Sequence, residues 1–154
     1  MKVLIVAVGK PRNAAIAAAI HEYEQRAAHY WPLAVHEVRE EPAKSVSADL
    51  VREREGSRLS DVVPASAHLV ACDPGGVSKT SEEFSAWLQG EREKGTDVAF
   101  VIGGAYGLSP ELRKRARTRL SLAPWTLPHE LARLVLAEQL YRAGSIVKRE
   151  PYHK

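Results

Sequence analysis

Apolar, β-branched runs alternate along the chain with stretches whose apolar residues recur at helical spacing, a pattern that predicts an α/β fold. Strands are predicted at Val3 to Val8, Leu33 to Val38, Leu69 to Cys72 and Val98 to Ile102. Between the first two, Asn13 to Tyr30 is alanine-rich, places Ile16, Ile20 and Tyr23 on one helical face and is stopped by Pro32. Ser47 to Leu59 opens on a capping serine and sets Leu50, Val51 and Leu59 among alternating charges, which predicts a helix with a weak apolar stripe. Asp73-Pro-Gly-Gly-Val reads as a turn. Ser81, followed by Glu82, Glu83, Phe84, Trp87 and Leu88, starts an amphipathic helix that ends near Gly95.

Later in the chain, Ser109-Pro-Glu opens a short basic helix, and Leu120 to Leu122 is predicted as a last short strand. Pro124 and Pro128 frame a stiff loop. From His129, Leu131, Leu134, Val135, Ala137, Glu138, Leu140 and Tyr141 describe an amphipathic helix running to about Gly144. No repeat or linker divides the chain, so residues 1–154 are expected to form one domain.

The fourth predicted strand runs straight into glycines, in Phe100-Val-Ile-Gly-Gly-Ala-Tyr-Gly-Leu-Ser-Pro110. Glycine lets backbone approach a ligand closely, and strand ends of a parallel sheet are where α/β proteins place ligands. The segment is neither the dinucleotide fingerprint nor a phosphate loop, since no Gly-Lys-Ser/Thr follows. Taken alone it is compatible with a tight turn after a core strand. The proline-stiffened apolar loop Leu122-Ala-Pro-Trp-Thr-Leu-Pro128 adds a second rigid backbone segment, and the two together suit a flat ligand such as an adenine.

Composition narrows the class. With 45% apolar and 27% charged residues the chain is typical of soluble globular proteins, and no segment approaches the roughly 20 apolar residues of a membrane helix. The N-terminal run lacks a secretory cleavage pattern, and the single Cys72 excludes an internal disulfide and argues against a cysteine-based metal site. A cytoplasmic protein with no metal and no membrane partner is expected. The net charge of +3 permits a polyanionic partner. Five basic residues fall within Arg113 to Arg119, and Arg142, Lys148, Arg149 and Lys154 follow against Glu150 alone. Each cluster reads either as a solvated face or as a phosphate-binding surface.

The polar candidates for chemistry are His129, Glu138, Arg142, Tyr152 and His153. His129, where the stiff loop becomes a helix, also suits a backbone-capping role. Glu138 and Arg142 are four apart, the spacing of an ordinary helical ion pair. Tyr152 and His153 lie at a terminus, where fraying is usual.

Taken together, Met1 to Gly9, Phe100 to Pro110, Leu120 to His129, Leu134 to Arg142 and Pro151-Tyr-His153 resemble the ribosomal large-subunit methyltransferase H family, in order and over essentially the whole chain. The resemblance implies a small SPOUT-class α/β fold with a parallel-rich sheet and a deep C-terminal trefoil knot, a homodimer, and S-adenosylmethionine as cofactor. It implies methylation of N3 of a pseudouridine in 23S ribosomal RNA within the assembled ribosome. The cofactor pocket would comprise Cys72, where family members often carry leucine, together with Gly103, Gly104, Leu122, Ala123, Pro124, Trp125, Thr126 and Leu127. His129, Glu138 and His153 are the implied candidates for the base that takes the N3 proton, and Arg142 and Tyr152 for holding RNA, with Lys154 where relatives often have arginine. Two alternatives remain at this level: a non-catalytic RNA- or ribosome-binding module, and an S-adenosylmethionine-dependent enzyme acting on another RNA.

Overall fold

A computed structural model describes residues 1–153; Lys154 lies outside them. At its centre β1 (Val3–Val8) and β4 (Val98–Ile102) have every residue buried, because they are the inner strands of a sheet covered on both faces. The sheet is fully parallel in the order β2-β1-β4-β3-β5, with β2 at Leu33–Val38, β3 at His68–Val77 and β5 at Thr118–Leu120. Val3, Ile5 and Ala7 of β1 face one core and Leu4, Val6 and Val8 the other, as the two-residue period of a strand requires.

The first core is closed by α1 (Ala14–Ala28), α3 (Ser81–Glu93) and α5 (His129–Val147), through Ala27, Phe84, Leu88, Leu136 and Leu140. The indole N–H of Trp31, 1% exposed, donates to the Leu140 carbonyl at 2.8 Å and so fixes the exit from α1 against α5. The second core is closed by α2 (Ala48–Val62) and α4 (Pro110–Arg115), through Leu59 and Leu112. Helix starts follow local chemistry. The Asn13 side chain accepts from the N–H groups of Ala15 and Ile16, Ser47 from Leu50 and Ser109 from Leu112. Thr80 and Glu83 form a reciprocal capping box one residue before the expected start at Ser81.

Three sequence expectations need correction. Strand β3 continues through Asp73–Val77 instead of turning at Asp73, because both Cys72 and Val77 pair with Leu120 and the residues between them bulge. Gly76 makes this possible: a Cβ there would collide with the Arg119 backbone. Strand β5 spans Thr118–Leu120, two residues earlier than Leu120 to Leu122, since pairing with Val70 begins at Thr118 and the last paired residue is Leu120; Ser121 keeps one N–H bond to the Val77 carbonyl at 2.9 Å while its hydroxyl bonds the Ala123 carbonyl at 2.7 Å. Gly144 does not end α5, which runs on to Val147; it is a point of close approach where any Cβ would meet the Tyr30 ring.

Candidate functional site

At the C-terminal edge of the sheet, the ends of β3 and β4 and the loop after β5 surround a cavity of about 740 Å³, within the size range of small-molecule sites. Three chain segments form its wall: Cys72 to Pro74, Ile102 to Leu108, and Leu122 to His129 without Pro124. Arg52 of α2, Arg113 of α4 and Ala132 of α5 complete it.

The glycine loop doubles back on itself. Gly107 donates its N–H to the Gly104 carbonyl at 3.0 Å and holds φ at +79°, a conformation costly for any other residue. A Cβ on Gly103 would stand 2.6 Å from the Gly107 carbonyl carbon, and one on Gly104 would stand 2.8 Å from a Glu55 carboxylate oxygen. The tight turn and the cavity wall are therefore the same structure, and the glycines serve both.

Both arginines on the wall are engaged with this loop. Arg113 donates to the Leu108 carbonyl from Nε at 3.3 Å and Nη2 at 3.1 Å, and Arg52 donates to the Tyr106 carbonyl at 3.3 Å while pairing with Asp49. They brace backbone carbonyls. Asp73 is braced too, its Oδ2 accepting from Arg119 Nε at 3.0 Å and Nη2 at 2.8 Å. Burial alone would raise the Asp73 pKa, but the Gly75 N–H and the Arg119 guanidinium outweigh it and hold the group below its ordinary value. Burial pushes the Cys72 thiol up to about 12, so it presents a neutral, weakly polar surface. Trp125 at the rim is 78% exposed and Tyr106 is 46% exposed.

Of the residues singled out from sequence, Cys72, Gly103, Gly104, Leu122, Ala123, Trp125, Thr126, Leu127 and His129 meet on this wall; Pro124 does not. Glu138, Arg142 and Tyr152 form a separate cluster farther along α5. Glu138 Oε1 accepts from Arg142 Nε at 3.0 Å, Arg142 Nη2 at 2.6 Å and the Tyr152 hydroxyl at 2.9 Å. Tyr152 belongs to a final 3₁₀ turn, Pro151–His153, and its ring lies 4.4 Å from that of Tyr141 and under the Arg142 guanidinium at 4.8 Å. Burial, then hydrogen bonds with Tyr23 and Glu138, raise the Tyr152 pKa, so the hydroxyl keeps its proton. His153 is exposed on that turn. Glu138 lies nine positions after His129 along the helix, roughly 13 Å at about 1.5 Å per residue.

Sequence reading missed Arg52, Glu55, Asp73 and Tyr106. One signal was available for Glu55: it stands four residues after Val51 and four before Leu59, on the apolar stripe of α2, where a charge is out of place.

The family described as "Predicted SPOUT methyltransferase" matches residues 1–153. This chain belongs to the SPOUT methyltransferase family. It is 62% identical over 154 residues to the ribosomal RNA large subunit methyltransferase H of Gemmatimonas aurantiaca, covering 100% of both chains. It is 43% identical over 159 residues to the protein of the same name from Listeria monocytogenes serotype 4b, again covering 100% of each. Among solved structures, TrmJ from Z. mobilis ZM4 superposes with a TM-score of 0.55 at 16% identity, covering 93% of this chain and 70% of that one. A probable methylase family protein from Haemophilus influenzae Rd KW20 gives 0.53 at 15% identity, over 99% and 70% respectively. These two likenesses concern the fold. Among the described residues, no helix of this SPOUT protein is long and apolar enough to cross a membrane.

Proposed function

We propose that this SPOUT methyltransferase transfers a methyl group from S-adenosylmethionine to N3 of a pseudouridine in 23S ribosomal RNA, acting in the cytoplasm as a homodimer on the assembled ribosome. The observation that carries the cofactor reading is the meeting of two rigid backbone loops, Gly103 to Leu108 and Leu122 to Pro128, on one cavity with few polar side chains free to bind. Such a wall suits an adenosine held by backbone hydrogen bonds and apolar contact, with Cys72 as a neutral neighbour. The 62% identity to a ribosomal RNA large subunit methyltransferase H over the full chain supports the ribosomal RNA substrate. The family's knotted C-terminal path goes with the same reading.

When bound, S-adenosylmethionine supplies an activated methyl whose sulfur leaves as a neutral thioether. The protein's task is then to orient the acceptor nitrogen in line with that methyl, exclude water and receive the N3 proton. His129 lines the cavity of its own subunit, whereas Glu138 is committed to Arg142 and Tyr152. That supports His129 as the proton acceptor within a subunit. In the homodimer of this reading, a second copy brings the Glu138–Arg142–Tyr152 cluster, roughly 13 Å along α5 from His129, toward the cavity of the other subunit.

Calorimetric titration with S-adenosylmethionine tests the cofactor, and absence of binding defeats any methyltransferase reading. Mass spectrometry of 23S ribosomal RNA from a deletion strain tests the substrate. Loss of one methyl on a pseudouridine is expected, and an unchanged nucleotide overturns the assignment.

A further inference from the structure

Glu55 is 2% exposed, among the most deeply buried charged residues of the described chain. Its Oε2 accepts from the Glu41 backbone N–H at 3.0 Å, while Oε1 is buried with no hydrogen-bond partner among the described residues. Both oxygens lie directly beneath the glycine loop, since a Cβ on Gly104 would come within 2.8 Å of Oε1 and 3.2 Å of Oε2. The flanking residues of α2 brace the same region. Arg52 bonds the Tyr106 carbonyl, and Gly56 is pressed on Ser109, whose Oγ would stand 2.6 Å from an added Cβ. Burying a carboxyl group with one oxygen unpartnered costs free energy, and a fold retains such an atom where it serves a purpose that packing alone does not explain.

We propose that Glu55 is a positioning residue for the cofactor cavity: its carboxyl group, packed under Gly104 with no hydrogen-bond partner for Oε1 among the described residues, supports the glycine loop in the shape that binds S-adenosylmethionine. Glu55 does not line the cavity and acts only through Gly104. The inference rests on the reading of that cavity as the cofactor site.

The charged groups around Glu55 are Glu40 and Glu41 from the segment after β2 and Arg58 on its own helix. Burial raises its pKa most strongly, Glu40 and Glu41 add to that as like charges, and the Glu41 N–H and Arg58 oppose it, leaving the group above its ordinary value. A buried carboxyl group with Oε1 unpartnered among the described residues is costlier to hold charged than neutral. Ionisation puts an unpaired charge under the loop, so cofactor affinity is full at low pH and declines as pH rises through the Glu55 titration.

The test is calorimetric titration of wild type, Glu55→Gln and Glu55→Leu with S-adenosylmethionine from acidic to alkaline pH, alongside thermal unfolding of each protein. Glu55→Gln, the same shape and permanently neutral, is expected to bind as wild type does at low pH and to lack its decline at higher pH. Glu55→Leu is expected to bind on the order of tenfold more weakly throughout. Superimposable pH profiles for wild type and Glu55→Gln overturn the proposal whatever Glu55→Leu does, because a merely structural Glu55 gives that result. Where Glu55→Leu fails to fold, the glutamine comparison decides alone. A wild type that binds no cofactor at any pH defeats the cofactor reading itself, a result distinct from identical curves for two proteins that both bind.

Discussion

The Tyr152 hydroxyl donates to Glu138 Oε1 at 2.9 Å, which docks the last described turn of the chain on the middle of α5. Arg142 shares the same oxygen, so one carboxylate orients two groups. Tyr152→Phe keeps the ring against Tyr141 and removes only the hydroxyl with its hydrogen bonds to Glu138 and Tyr23. It is expected to lower thermal stability by about 1 kcal/mol, leave S-adenosylmethionine affinity unchanged and reduce methylation of ribosomes. Undiminished methylation by a normally folded Tyr152→Phe protein shows that this hydroxyl has no part in the proposed handling of RNA.

Gly103→Ala places a methyl 2.6 Å from the Gly107 carbonyl carbon, where backbone must move. Cofactor affinity is expected to fall by more than about tenfold, a loss exceeding about 1.4 kcal/mol. Gly107→Ala meets no atom within 4 Å and is penalised only by its φ of +79°, by roughly 1 kcal/mol. Calorimetry and thermal unfolding on both variants separate crowding from backbone strain, and equal effects at the two positions contradict that distinction.

Arg133, 7% exposed on α5, bonds Glu24 of α1 at 2.7 Å and Glu37 of β2 at 2.9 Å. Removing one member of a buried ionic network leaves the others desolvated and unpaired. Arg133→Ala is therefore expected to cost about 3–5 kcal/mol in chemical denaturation. A loss below about 1 kcal/mol would mean that water already satisfies both carboxylates.

The basic run Arg113 to Arg119 divides into two classes. Arg113 braces the Leu108 carbonyl, Arg115 bonds the Ser60 and Val63 carbonyls, and Arg119 holds Asp73. Lys114 and Arg117 are exposed and, among the described residues, make no side-chain hydrogen bond or ion pair. Lys114→Gln and Arg117→Gln are expected to weaken ribosome binding and lower its salt slope by about one for each phosphate left unneutralised, with cofactor affinity unchanged. Arg113→Gln is expected to weaken cofactor binding instead. An unchanged salt slope in the Lys114/Arg117 double variant excludes that pair from the RNA interface.

Stability should respond to pH in opposite senses at two carboxyls. Asp73 sits below its ordinary value of 3.8 in the folded protein, so the unfolded chain binds the proton more readily there and stability is lost as pH falls below that value. Glu55 sits above its ordinary value of 4.5, so its contribution is present at low pH and is lost as pH rises through its folded pKa. Denaturant unfolding against pH is expected to show Asp73→Asn flattening the acid limb and Glu55→Gln flattening the other. Curves parallel to wild type for both variants would show that neither group titrates as described.

Much of this protein was determined locally. Val3 to Val8 and Val98 to Ile102 are uninterrupted apolar runs that tolerate only a strand buried on both faces. Asn13, Ser47 and Ser109 start their helices through bonds to residues two or three positions on, and the glycine and proline loops of the cavity stood out by composition. The order of the strands was decided only by long-range pairing, which carries no local mark. So was the extension of β3 through Gly76, which depends on Arg119 passing close by. Gly144 has the look of a helix stop, and only the Tyr30 ring packed on it turns it into a point of close packing. The burial of Glu55 under Gly104 joins residues 49 positions apart in the sequence, and no period or motif encodes which glycine a stray carboxylate will meet. Periodicity and capping are set by neighbours a few residues away, whereas the working surface of the cavity is set by which loops the parallel sheet brings to one edge.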